Sequence, residues 1–128
     1  MDDQTDRIVK NLRTVIRDII KEMSLNITSD LILQTPVDTG WAKSNWLPSI
    51  GEPIELPVGS KDAIDPLAQE VGSAEVAINY ELESGSIFIS NNVPYVPLLN
   101  EGHSPFAPAG FIDKIIEDEV RRQESRVL

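Results

Sequence analysis

The sequence predicts an α+β domain in which a long N-terminal helix and a C-terminal helix pack on a small, mostly antiparallel β-sheet. Three observations predict it. Apolar residues recur at three- and four-residue steps from Thr5 to about Leu33 and again from Phe111 towards Arg126, the period of helices with one buried face. Between them, "SIFISN" (86–91) is β-branched and aromatic and is bounded by Gly85 and an Asn-Asn pair, which is strand composition between turn signals. The 128 residues suffice for one ordinary core, so residues 1–128 read as a single domain.

The first helix, within residues 1–34, places Ile8, Leu12, Val15, Ile19, Met23, Ile27 and Leu31 on one side and charges such as Arg7, Lys10, Arg13 and Arg17 on the other. Thr5 or an early aspartate suits its N-terminus, where acidic groups meet the helix dipole. Ser, Asn and Thr in "SLNITSD" are poor helix formers, so a bend or break is expected after Met23. Pro36 ends the helix by pushing Thr35 towards extended geometry. "WLPSIGEPIELPVGS" carries three prolines and two glycines and reads as an extended arm or edge strand around Ile54–Val58, where a residue without an N–H does least harm. A helix is expected from Pro66 to Glu83, with Asp65 as cap, Ile64, Leu67, Ala68, Val71, Ala74 and Ile78 as the apolar positions and Gly85 turning the chain, against the alternative that "AEVAINYEL" begins a strand. The strand follows. "VPYVPLLNEGHSPFAPAG" is too apolar for a solvent loop and too rich in proline for one regular element. The terminal helix, 111–126, sets Phe111, Ile112, Ile115, Ile116 and Val120 on one side, with Arg121, Arg122 and Arg126 near its C-terminus as the dipole favours.

Composition narrows the function. Eleven basic against 21 acidic residues give a formal charge of −10, which repels a phosphate backbone instead of releasing its counterions. There is no cysteine, hence no disulfide, thiolate catalysis or cysteine-containing zinc site. No apolar run approaches the roughly 20 residues of a membrane span, and the acidic "MDDQTDRIVK" lacks the basic and apolar blocks of a secretory signal, so a cytoplasmic origin is expected.

The stretch "TPVDTGWAKSNW" (35–46) poses the sharpest chemical question, because Asp38-Thr39-Gly40 is the tripeptide of aspartic proteases. Such an enzyme needs two aspartates sharing a proton, here supplied by a homodimer. Against it, Pro36 interrupts the approach, Trp41 would crowd the facing loop, and a long helix stands where a small β-barrel should begin. The alternative is a tight structural turn, with Asp38 bonding its own backbone and Gly40 left-handed, delivering Trp41 and Trp46 to the core or to a subunit contact. His103, the only histidine, pairs with Glu101 too sparsely for a metal site, and Ser104 beside it is not how triads are built. No phosphate loop or nucleotide fingerprint is present. The expectation is a protein without catalytic residues, metal or cofactor.

Three stretches taken in order, "TPVDTGWAKSNW", "IFISNNVPYVPLLNEGHSPFAPAGF" and the amphipathic terminus, resemble the tail-completion or neck proteins of tailed bacteriophages, the group that includes minor tail protein Z. The resemblance spans roughly two thirds of the chain in the right order, which makes it stronger than any single short motif. Residues 47–85 match poorly. Trp41 stands where the family usually has a basic residue, and Asn100-Glu101-Gly102 where an acidic-aromatic-Gly run is common. The resemblance implies a virion structural protein, made in the host cytoplasm, that forms a ring with its own copies between head connector and tail. Its partners would be connector or stopper and tail-tube or tail-terminator proteins, with DNA only passing through the lumen and no membrane. Structural roles then fall to Asp38, Thr39 and Gly40 in the turn, to Asn91, Asn92, Pro94 and Tyr95 at the strand exit, and to Glu101, Gly102, His103, Pro108 and Gly110 before the last helix. Trp41, Trp46, Tyr95 and Phe106 are the expected core or interface anchors. The surplus negative charge would suit a lumen through which DNA slides. A small non-viral adaptor domain is the remaining alternative.

Overall fold

The structure, a computed structural model, describes residues 3–37 and 40–127. Helix α1 (Asp3–Gln34) leads through a 3-10 turn (Lys43–Asn45) into strand β1 (Leu47–Ile50). Helix α2 (Leu67–Asn79), a second 3-10 turn (Leu82–Ser84), strand β2 (Ile87–Ser90), the short helix α3 (Val96–Asn100) and helix α4 (Phe111–Val127) follow. The fold is α+β: the long N-terminal helix packs along the C-terminal one, and an antiparallel sheet of two strands, paired from Leu47↔Ser90 to Ile50↔Ile87, is covered by α2.

α1 runs unbroken for 32 residues, so the break expected after Met23 does not occur. The polar residues that argue for it are used by the helix. Ser24 and Thr28 donate their hydroxyls to the carbonyls of Ile20 and Ser24, each at 2.8 Å, and both are buried. Back-bonding of this kind satisfies a hydroxyl inside a helix, and tertiary contact outweighs the propensity deficit of a few tenths of a kcal/mol per residue. Asn26 reaches across to α4, donating to Glu119 at 2.9 Å. The helix ends where Pro36 requires, with Thr35 donating both its N–H, at 3.0 Å, and its hydroxyl, at 2.6 Å, to the Leu31 carbonyl.

β1 lies upstream of the edge strand expected at Ile54–Val58, and residues 51–66 form no strand. Leu47–Ile50 has β2 beside it and α2 against it, whereas the later segment contains Pro53 and Pro57, which cannot donate to a ladder. α2 is shorter than expected. Its N-cap position is Pro66, without a side-chain cap bond, and it stops at Asn79 because Tyr80 turns extended at φ −67°, ψ 130°. Glu81 and Ser84 then exchange side-chain and backbone bonds in a capping box around the second 3-10 turn, and Gly85 reverses the chain at φ +93°. α2 sits flat on β1 at Gly72, where an added Cβ would lie 2.6 Å from the Pro48 carbonyl oxygen. Val76 and Tyr80 are buried, while Leu67, Val71, Ala74 and Ile78 lie on the exposed side.

One core joins the end of α1 (Leu31), the corner (Ala42, Trp46), the segment around α3 (Val93, Val96, Leu99), Ala107 and α4 (Phe111, Ile115). α1 and α4 are stitched by Arg126 to Glu22 and by a buried Glu119, which accepts from Asn26 and, at 2.9 Å, from Arg122. A buried carboxylate persists when charge-assisted donors surround it.

Candidate functional site

Of the residues singled out in the sequence, Gly40, Trp41, Trp46, Asn91, Asn92 and Tyr95 meet at or beside the corner after α1. Asp38 and Thr39 lie outside the described residues. Gly40 takes φ +73°, the left-handed conformation that only glycine adopts freely, and its carbonyl accepts from Ser44 N–H at 3.0 Å. Trp41 and Tyr95 meet edge to face, centroids 6.3 Å apart at 61°. The Trp41 indole donates to the Val58 carbonyl at 3.0 Å, and the Tyr95 hydroxyl accepts from Ala42 N–H at 3.3 Å. Asn91 donates to the Ala42 carbonyl at 2.9 Å and accepts from Val93 N–H, while Asn92 donates to the Ile54 carbonyl at 2.7 Å. The Asn-Asn pair thus ties the strand exit to the corner with one amide and to the arm with the other. Trp46 is buried and its indole donates to the Thr35 hydroxyl at 2.8 Å.

Three side chains of this hub have no place in the sequence reading. Lys43 donates to the carbonyls of Ile32, at 2.6 Å, and Thr35, at 3.4 Å. It supplies from outside the positive charge that the last turn of α1 lacks and that helix C-termini favour. Fully buried Asn45 accepts from Val58 N–H at 2.8 Å and donates to the carbonyls of Val58 and Trp41 at 3.1 and 2.9 Å, which fastens the arm as a strand partner would. Gln69 of α2 donates to the carbonyls of Lys43 and Trp46. The available signal is three polar letters, Lys43-Ser44-Asn45, between two tryptophans: polar side chains beside buried aromatics must find backbone partners.

The loop before α4 stands apart from this hub. Gly102 and Gly110 have φ of +91° and +76°, and Asn100 accepts Gly110 N–H on its carbonyl and Ile112 N–H on its side chain, capping α4. Pro94 is exposed, and Pro108, also exposed, offers its carbonyl to Phe111 N–H. Glu101 and His103 face each other at 3.7 Å in the open. The Ser104 hydroxyl accepts from Phe106 N–H at 3.2 Å, which is a local turn bond. Among the described residues no group of three or more His, Asp or Glu is arranged to hold a metal. Phe106 is 73% exposed, so of core and interface only the surface role is open to it.

No protein-family model, no curated protein and no solved structure matches this chain.

Exposed apolar side chains occur on several parts of the surface, including one groove and two helices. Phe106 and Pro108 face Leu33, Pro36 and Val37 across an open groove of 500 Å³. The N-terminal half of α1 exposes Ile8, Leu12, Val15 and Ile16, and α2 exposes Leu67, Val71 and Ile78. Charge is divided between segments of the chain. From Arg7 to Arg17 there are four basic and no acidic residues, whereas residues 52–83 hold eight acids, all exposed, and one base, Lys61. The two regions touch where Arg13 pairs with Glu83 and Arg17 with Glu81. The Glu83 backbone N–H, then Arg13, holds the Glu83 carboxyl below its ordinary value. No helix among the described residues is long and apolar enough to cross a membrane.

Proposed function

We propose that this chain is a structural subunit of a tailed-bacteriophage virion, closing into a ring with its own copies at the head-tail junction or tail end. It completes the tail or joins it to the head by docking on neighbouring connector or stopper and tail-tube or tail-terminator proteins, without catalysis or cofactor.

The observation that carries the reading is the pairing of a densely hydrogen-bonded hub with exposed apolar patches on α1, on α2 and at the Phe106 groove. A ring subunit presents two different surfaces that meet by rotation. Contiguous exposed apolar surface marks association, and preordered segments lose less entropy when they dock. The ordered motifs that resemble the neck and tail-completion proteins supply the hub: Trp41, Trp46, Asn91, Asn92 and Tyr95 are hydrogen-bonded or stacked within it. The −10 charge suits a lumen in which DNA meets like charge and slides without adhering.

The test is phage assembly without this chain. Heads and tails should accumulate unjoined or unfinished, and adding the purified protein should restore infectious particles. Properly joined, infectious particles formed in its absence would sink the reading.

A further inference from the structure

Strand β2 leaves one edge of the sheet open. The Gly51 N–H donates to the Ser86 carbonyl at 2.8 Å, and in an antiparallel ladder the bonded pairs alternate with unbonded ones. Given the register from Leu47↔Ser90 to Ile50↔Ile87, Ser86, Phe88 and Ser90 turn their backbone groups towards β1, and Ile87 and Ile89 turn theirs away. Among the described residues nothing pairs with the N–H or carbonyl of Ile87 or Ile89, and unpaired backbone groups belong in water or against another backbone. The other extended segments are guarded. On β1 the outward Pro48 has no N–H, and Gly72 of α2 lies against its carbonyl. The arm carries Pro53 and Pro57 and is already fastened at Ile54 and Val58. β2 is short, but it has no proline, charge or bulge, the devices that blunt a free edge.

We infer that this edge is covered by β2 of a second copy, running antiparallel about a twofold axis at Phe88. Two features select that occupant over another extended chain. Residues 86–90 read Ser-Ile-Phe-Ile-Ser, the same in both directions, so a copy turned end for end sets Ile87 against Ile89, Ser86 against Ser90 and Phe88 against itself. A twofold contact requires this self-complementarity. The same register uses every outward group, since Ile87 and Ile89 of the two chains form the bonded pairs, and it leaves the two Phe88 residues as the close unbonded pair. Aromatic pairs across strands stabilise a sheet. No charge crosses the seam, and the two sheets join into one of four strands by addition at the edge. A seam of five residues buries little area, so the dimer is weak and forms as concentration rises. It closes at two chains and is a contact of the free protein, separate from the surfaces of the ring.

The test is amide exchange by NMR on the unmodified protein, dilute and concentrated, with sedimentation velocity for its mass. The mass should shift from one chain towards two, and the protection of the Ile87 and Ile89 amides should rise with it, while the inward Phe88 amide is protected in both samples. Since the chain has no cysteine, mixing Ser86→Cys with Ser90→Cys under mild oxidation should give the mixed disulfide as the main dimer. A single-chain mass at every concentration overturns the inference, as does a dimer in which Ile87 and Ile89 exchange as fast as in the monomer. Ser86–Ser86 disulfides as the main product overturn it too. None of these outcomes bears on the ring reading, which stands or falls on particle assembly.

Discussion

Asn45 shows how a single polar side chain organises this corner. Its amide pairs with both backbone groups of Val58 and with the Trp41 carbonyl, so the arm is held without any strand. Asn45→Ala leaves the partly buried Val58 N–H without its partner and should cost about 1–2 kcal/mol, read as a lower denaturation midpoint at unchanged slope. An unchanged midpoint would mean that the arm is held by other contacts. Lys43 acts at the same scale, placing a cation on the last carbonyls of α1 from nine residues beyond the helix end. The two are neighbours of a tryptophan pair whose indoles both donate inward, to Val58 and to Thr35.

At the scale of elements, α2 meets β1 through a glycine. Gly72→Ala puts a methyl 2.6 Å from the Pro48 carbonyl, so the helix must lift off the strand. The expected loss is about 1–3 kcal/mol, and thermal unfolding would show it; a gain from better helix propensity would mean the contact is looser than drawn. The tie between α1 and the second 3-10 turn responds to pH. Its Glu83 carboxyl lies below its ordinary value because of its own backbone N–H and Arg13. A depressed folded value means that the contact stabilises the fold above the ordinary carboxylate range, and that this support is lost as pH falls through the lowered value. Both partners are exposed, so the effect is small and salt-screened. The protection factors of the amides at residues 81–84, taken relative to the unstructured rate at each pH, should fall at pH below the ordinary carboxylate range and in high salt at neutral pH, and protection insensitive to both would remove the pair from the account.

Over the whole molecule, the distribution of apolar surface matters more than its amount. Leu12 on α1, Ile78 on α2 and Phe106 in the loop before α4 are all exposed. Phe106→Ser should leave stability within about 0.5 kcal/mol and yet lower the yield of joined particles, since the side chain supports no core. A large stability loss in that variant would show that the groove is closed by Phe106 in the free protein.

The two long helices and the strand at Ile87–Ser90 were legible in the letters, because helical period, strand composition and proline punctuation are local signals that burial reinforces. The left-handed backbone of Gly40 was legible too, because glycine adopts it without strain. The continuity of α1 through Ser24–Asp30, the siting of the partner strand at Leu47–Ile50, and the exposure of the α2 stripe were not. Each depends on what stands opposite: hydroxyls that find their own helix's carbonyls, a β2 that pairs upstream of two prolines, and a Gly72 face that approaches β1 more closely than an apolar face could. Composition and pattern establish which segments are regular and that the protein is acidic. Which polar residues become interior fasteners, and which apolar residues are left facing outward, follows only when distant segments meet, because hydrogen-bond partners and close approach are properties of pairs and not of positions.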